Sequence, residues 1–290
     1  MVVSSRNNIK VRDARRLKLA KFRQRTGLVL VEGVKHIRDA YSAGGRLVRL
    51  FVSEQLAGNP AVAEFIRTVE SSTDVVICTD AVVASISSVE TCQGLVAVFK
   101  IPFSDAETVI SRMTTGGIGF VLDRIQDPTN LGTMLRTASA CGASGVIVSD
   151  GTVDPFNDKV VRSSASALFS VDIVRVSTLP ALVDRLKSSG VKVVALNADS
   201  TQCYFDVDLT GPLALVVGNE GAGISQEVLE LADYVVSIPM PGQVESLNAA
   251  VAMSIVAYEA VRQRMRVNRL VCGSYTCYNG GEAPGTTGER

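Results

Sequence analysis

Three short polar clusters hold the side chains with which this chain can do chemistry. Asn130 and Arg136 stand in DPTNLGTMLRTA, and Gly218, Asn219, Glu220 and Gly223 in LALVVGNEGAGIS. Ile238, Met240, Ser246, Leu247 and Asn248 stand in IPMPGQVESLN. Amide, carboxylate, hydroxyl and guanidinium groups position a substrate and stabilise developing negative charge; they do not shuttle protons as an imidazole does. The only histidine, His36, lies far upstream on a predicted helix, where such a ring is more often a surface or packing group than a catalyst. Six scattered cysteines show no CxxC pair and no zinc-like spacing. No Ser-His-Asp set, Cys-His pair or metal cluster can therefore be assembled around the three clusters.

Each cluster also has a local structural reading. Thr129 or Asn130 can cap the helix that begins there, and Gly132 permits close approach of another backbone. Arg136 is either a surface ion-pair residue or a site residue. It lies about one and a half turns beyond Asn130, and both are expected to face one site. GNEGAG lacks the GK[ST] ending of a phosphate-binding loop. Its glycines do not have the dinucleotide-binding spacing either, which disfavours a nicotinamide oxidoreductase. Ser246 can cap the last long helix with Asn248 in its first turn, and the surrounding loop has backbone groups free to hold a flat heterocycle such as adenine.

Each cluster follows an apolar, β-branched run and precedes a helical pattern. Ligand sites in open α/β sheets lie beyond the carboxyl ends of such strands, so the three loops are expected to form one composite site. The runs GFVLD, GVIVS, VDIVRV, VKVVALN, LALVV and YVVSIPM are apolar on both faces, as parallel strands covered by helices are. Upstream, LVLVEG, LVRLFVS, DVVICT and GLVAVFK alternate with short helical patterns. The expected organisation is a smaller N-terminal α/β domain (1–101), a linker with one or two helical turns (102–117), a larger α/β domain (118–266) and a disordered tail (267–290).

With 290 residues, 47% of them hydrophobic, and no net charge, the chain has ample apolar material for two ordinary cores. It has no apolar run of the roughly 18 residues that suggest a membrane span. The N-terminus is basic and lacks an apolar leader, so a cytoplasmic, disulfide-free protein is expected. Charge is unevenly spread: Arg6, Lys10, Arg12, Arg15, Arg16, Lys18, Lys21, Arg23 and Arg25 face a single acid, Asp13, over twenty residues. That stripe reads either as a phosphate-binding surface or as a solvated basic helix. Arg162 in KVVRSSASALF is a further candidate phosphate contact, or a partner for Asp154 or Asp158.

In order and spacing, NLGTMLRTASACGASGVIV, LVVGNEGAGIS and IPMPGQVESLNAAVAMSIVAYEAVRQR resemble the three signature motifs of the SpoU (TrmH-like) RNA 2′-O-ribose methyltransferases. The resemblance spans residues 118 to 264. The first domain is similar to that family's substrate-binding domain, itself similar to ribosomal proteins that bind kinked RNA. The resemblance implies a trefoil-knotted, mostly parallel sheet, S-adenosylmethionine as methyl donor, and a homodimer whose sites are each completed by the partner chain. It also implies Asn130, Arg136, Glu220, Ser246 and Asn248 as catalytic residues, with Gly218, Ile238 and Leu247 holding the adenosyl group and Asn219, Gly223 and Met240 beside them. Arg6, Arg12, Arg15, Arg16 and Arg162 are the expected RNA contacts, and no metal is implied. Large-subunit ribosomal RNA is the expected substrate; the alternatives are transfer RNA and a non-catalytic RNA-binding assembly factor. Arg136 would serve as general base or as stabiliser of the developing alkoxide, and the persistent protonation of a guanidinium favours the second role.

Overall fold

The computed structural model describes residues 2–102 and 104–269. The tail expected to be disordered, with Cys272 and Cys277, lies outside the described residues from 270 onward. Val267 to Arg269, assigned to that tail from sequence, instead continue the last helix.

Short β-branched runs form the strands and amphipathic runs form the helices between them. The first unit comprises α1 (Ile9–Arg16), α2 (Ala20–Thr26), β1 (Leu28–Glu32), α3 (Val34–Ser42) and β2 (Leu47–Ser53). It continues through α4 (Glu54–Ala57), α5 (Pro60–Val69), β3 (Asp74–Cys78), α6 (Asp80–Ile86) and β4 (Leu95–Lys100). Its strands are ordered β1-β4-β2-β3, with only the β2–β3 pair parallel. Period-two alternation divides it: Leu30, Phe51, Val96 and Val98 pack on α1 and α6, while Val29, Val31, Leu50 and Phe99 lie in a core shared with α3, α5 and the second unit.

The second unit begins earlier than the sequence suggests. Residues 102–117 are more than a linker, because α7 (Ala106–Thr114) buries Val109, Ile110 and Met113 against the second sheet. There follow β5 (Ile118–Leu122), α8 (Pro128–Ala140), β6 (Gly145–Ser149), α9 (Asp158–Ser163), β7 (Ile173–Val176) and α10 (Leu179–Ser188). The unit closes with β8 (Lys192–Leu196), β9 (Leu213–Val217), α11 (Gln226–Leu231), β10 (Tyr234–Val236) and α12 (Ala249–Arg269). All six strands are parallel, in the order β10-β8-β9-β5-β6-β7. The chain reverses direction across the sheet beside β5 and β9, so the loops after β5, β8, β9 and β10 gather at one carboxyl edge.

The units are joined by one continuous apolar core, in which Val29, Ile37 and Phe99 pack with Leu131, Val160 and Phe169. The Phe99 and Phe169 rings lie 4.9 Å apart. Arg23, assigned from sequence to the phosphate-binding stripe, is buried instead. Its Nε donates to Asp154 Oδ2 at 3.1 Å, its Nη2 makes a second bond to the same oxygen, and its Nη1 donates to the carbonyls of Leu17 and Lys18. Asp154 is therefore taken, and Arg162 pairs with Asp158 at 3.1 Å. Replacing Asp154 by alanine strands a buried guanidinium charge. The expected cost is about 3 kcal/mol, the low end for a broken buried pair because the two carbonyl bonds survive. Thermal unfolding is expected to fall by roughly 6–12 °C; an unchanged midpoint would count against this pair as a clamp.

The four described cysteines are free thiols, and burial pushes Cys78 and Cys141 up to about 11, leaving them unreactive packing groups. No helix among the described residues is long and apolar enough to cross a membrane.

Candidate active site

The loop after β5 is built on a buried carboxylate. Asp123 is 3% exposed. It accepts bonds from Arg124 Nε at 2.9 Å, Ser149 Oγ at 3.3 Å and the Ser225 amide at 3.1 Å. It thereby ties the end of β5 to the end of β6 and the start of α11. Arg124 takes a left-handed φ of 54°, which costs a residue other than glycine some strain. Its amide donates to Ser149 Oγ, and its carbonyl accepts from Asn219 Nδ2 at 2.8 Å.

Asp127, rather than Thr129 or Asn130, caps α8, its Oδ1 accepting from the Thr129 and Asn130 amides at 2.7 and 2.9 Å. Pro128 then occupies the first helical position, where its missing amide proton costs nothing. The Asn130 side chain is thus released from capping. Its Nδ2 donates to Glu220 Oε1 at 2.9 Å, and its Oδ1 accepts from Asn248 Nδ2 at 2.8 Å. This chain of bonds joins all three clusters. Asn248 in turn is the cap of α12, taking the place sequence gave to Ser246; its Oδ1 accepts from the Ala250 and Val251 amides.

Burial pushes the Glu220 carboxyl up, but donation from Asn130 and from the Gln126 and Asp127 amides outweighs it, and the net shift is below the ordinary value. Glu220 is therefore ionised at neutral pH and acts as an acceptor that orders the amide of Asn130. Asn219 performs a different task. Its Oδ1 holds the Gly221 and Ala222 amides, while its backbone exchanges two hydrogen bonds with Gly223. A Cβ on Gly218 would overlap the backbone of Gly223 and Ile224, so glycine is required by close approach of chain to chain.

These loops enclose a cavity. Every position expected to hold a cofactor lines it: Gly218, Asn219, Gly223, Ile238, Met240 and Leu247, with Glu220 and Ser246 beside them. Leu196, Asn197 and Ala198, at the end of β8, complete the wall and were not singled out from sequence. The available signal was their place at the end of VKVVALN, on the same sheet edge. Among the described lining residues there is no lysine or arginine, while Glu220 and Glu245 border the space.

Arg136 is not among them. Six residues along a helix is about 9 Å of rise and a net rotation of about 120°, so Asn130 and Arg136 leave α8 on different sides. Arg136 is exposed and borders a cleft with Lys35, Asp39 and Ser164 to Ser166. The expectation that both face one site of the same chain is not met. Gly132, between them, is set against α9, where a Cβ would lie 2.8 Å from the Ser164 amide nitrogen. Four arginines of the N-terminal stripe, Arg6, Arg12, Arg15 and Arg16, are exposed, and Arg16 also stacks on the Phe22 ring at 4.6 Å. Lys10 pairs with Asp74, and Lys18 donates to the Ser87 carbonyl. His36 is half-buried at the seam between the two units.

Comparison with known proteins matches residues 117–258 to the SpoU rRNA Methylase family and residues 8–97 to the MRM3-like substrate binding domain. A 23S rRNA (guanosine(2553)-2′-O)-methyltransferase, RlmP of Bacillus subtilis, is 33% identical over 88% of this chain and 97% of its own length. The crystal structure of the SpoU methyltransferase AviRb from Streptomyces viridochromogenes, in complex with the cofactor AdoMet, superposes with a TM-score of 0.80. That match is at 33% identity over 89% of this chain and 99% of that one. An AdoMet-bound rRNA methyltransferase from Sinorhizobium meliloti superposes with a TM-score of 0.79 at 30% identity, covering 94% and 99%. Common ancestry across both units, together with the three-cluster cavity, makes this chain a member of the SpoU rRNA methylase family.

Proposed function

We propose that this protein transfers a methyl group from S-adenosylmethionine to a ribose 2′-oxygen of large-subunit ribosomal RNA. The observation that carries the reading is the hydrogen-bonded chain Glu220–Asn130–Asn248, which unites the three motif loops at the mouth of one cavity. Relatives named as 23S rRNA 2′-O-methyltransferases span nearly the whole chain and supply the substrate class.

The cavity suits that cofactor on its own chemistry. Backbone at Gly218, Ile238 and Leu247 offers donors and acceptors for an adenosyl group, shaped by Asn219, Gly223 and Met240. Apolar Leu196 and Val236 provide a wall for a flat base, and the carboxylates of Glu220 and Glu245 suit a cationic ligand. When bound, the cofactor supplies an electrophilic methyl on a sulfonium: the 2′-oxygen gives an electron pair to the methyl carbon, the carbon–sulfur bond breaks toward sulfur, and the hydroxyl proton leaves to solvent.

The protein's part is to orient the acceptor and stabilise its developing charge. Asn130, Glu220, Ser246 and Asn248 orient the ribose. A cation is needed beside the oxygen, and the described cavity lining supplies none. Arg136 of the partner subunit provides it in a homodimer. Two exposed apolar side chains on one face of α12 support that assembly: Val251 and Tyr258, two turns apart, are 45% and 51% exposed. The trefoil crossing belongs to the same assignment for residues 118–266, as do substrate binding by residues 1–101, phosphate contacts from Arg6, Arg12, Arg15, Arg16 and Arg162, and a cytoplasmic site of action.

Incubating the full chain with methyl-labelled S-adenosylmethionine and large-subunit ribosomal RNA is expected to give a single alkali-resistant 2′-O-methylated nucleotide. Label on a base, or no transfer to ribosomal RNA, overturns the reading.

A further inference from the structure

The chain leaves β5 through a turn that glycine makes freely and that this protein makes with an arginine. Arg124 has a φ of 54°, in the left-handed region that a residue bearing a Cβ keeps only when its surroundings hold it there. The holding group is its own neighbour. Arg124 folds back on Asp123, its Nε and Nη2 donating to the two carboxylate oxygens at 2.9 and 3.1 Å. Successive side chains of a strand point to opposite faces, so this two-pronged pairing of neighbours belongs to the turn and not to the strand. Asp123 is buried and fixed independently, Oδ1 accepting from the Ser149 hydroxyl and Oδ2 from the Ser225 amide. Gly151 leaves room for the arginine stem: a Cβ there would lie 3.1 Å from Arg124 Cγ.

The turn decides where the Arg124 carbonyl points. It accepts from Asn219 Nδ2 at 2.8 Å. At the other end of the same side chain, Asn219 Oδ1 holds the Gly221 and Ala222 amides at 2.9 and 2.8 Å. A side-chain amide is planar, so anchoring its nitrogen also aims its oxygen. Neither Asp123 nor Arg124 lines the cofactor cavity, and their influence on it passes through Asn219.

We infer that Asp123 and Arg124 are positioning residues: their ion pair holds a left-handed turn whose carbonyl sets the cofactor loop through Asn219. The identity of the cofactor rests on the proposed methyl transfer; the relay from turn to loop does not. Without the pair, a residue with a Cβ at position 124 relaxes toward negative φ and its carbonyl swings away from Asn219. Glycine adopts the same φ unaided, and so keeps the relay when the pair is gone.

Two double variants of the full chain test this. Both carry Asp123→Asn, which keeps the side-chain shape and strands no buried charge; one adds Arg124→Ala and the other Arg124→Gly. Both lack the ion pair, and they differ in the cost of the left-handed turn. The readouts are hydrogen exchange of the Gly221 and Ala222 amides without cofactor, and the Kd for S-adenosylmethionine. The alanine variant is expected to exchange about tenfold faster than wild type at both amides and to bind the cofactor about tenfold more weakly. The glycine variant is expected to stay within about threefold of wild type in both readouts. Should the alanine variant fail to fold, Asp123→Asn alone takes its place in the comparison. A turn that serves stability only would shift the unfolding midpoint and leave exchange and Kd alike in the two variants. That result overturns the inference, as does a difference in exchange with an unchanged Kd in both. If the wild-type chain binds no S-adenosylmethionine while exchange follows the expected order, the proposed methyl transfer fails and the relay stands.

Discussion

Arg136→Ala is expected to lower kcat by about 10²–10³-fold, the usual effect of deleting one group that stabilises an oxyanion, while leaving S-adenosylmethionine affinity and thermal stability unchanged. A ribose hydroxyl is a weak nucleophile, and charge builds on its oxygen as the new bond forms. The described cavity lining offers carboxylates and amides to that charge and no cation. A guanidinium stays protonated at any physiological pH and so is suited to neutralising charge. Arg136 is exposed on α8, away from its own chain's cavity, so its loss removes neither packing nor cofactor contacts. Titration calorimetry with the cofactor beside single-turnover methyl transfer separates the two effects. Near-normal turnover, or a parallel loss of cofactor binding, would reject the assignment.

Gly218→Ala has the opposite signature. The added methyl would overlap the Gly223 carbonyl group and the Ile224 amide nitrogen, both backbone atoms that cannot rotate away. The loop is also held from the other side, because Asn219 is bonded to Arg124, Gly221 and Ala222. Overpacking of this kind costs about 1–3 kcal/mol. Here it falls on the wall of the cavity, so cofactor affinity is expected to weaken by roughly 5- to 150-fold. Turnover at saturating cofactor should fall far less. An unaltered Kd for S-adenosylmethionine would show that the loop relaxes around the methyl group and that Gly218 is not part of the cradle.

The two substitutions illustrate different kinds of legibility. The need for a glycine in LVVGNEGAGIS, and the gathering of that loop with IPMPGQVESLN, could be read from apolar strands that end in polar turns. Strand and helix positions were legible in both units, because period-two and 3.6-residue patterns are local properties of the chain. Asn130 and Glu220 were recognisable as members of one site through their motifs, although ninety residues separate them. Local chemistry alone left helix capping as an alternative for Asn130, and only the folded chain shows Asp127 in that role.

Composition and pattern by themselves determined two α/β units, three polar clusters and their order along the chain. These depend on side-chain type and on spacing within one element, which any segment carries wherever it folds. Tertiary structure decided that Arg23 is a buried clamp on Asp154 and not part of a phosphate-binding stripe. It also decided that residues 102–117 belong to the second core and that Arg136 turns to the seam while Asn130 turns to the cavity. Each of these outcomes depends on what lies opposite a side chain after packing. A residue's identity states its charge and reach, but its partner is chosen by surfaces that meet only when distant segments close on one core.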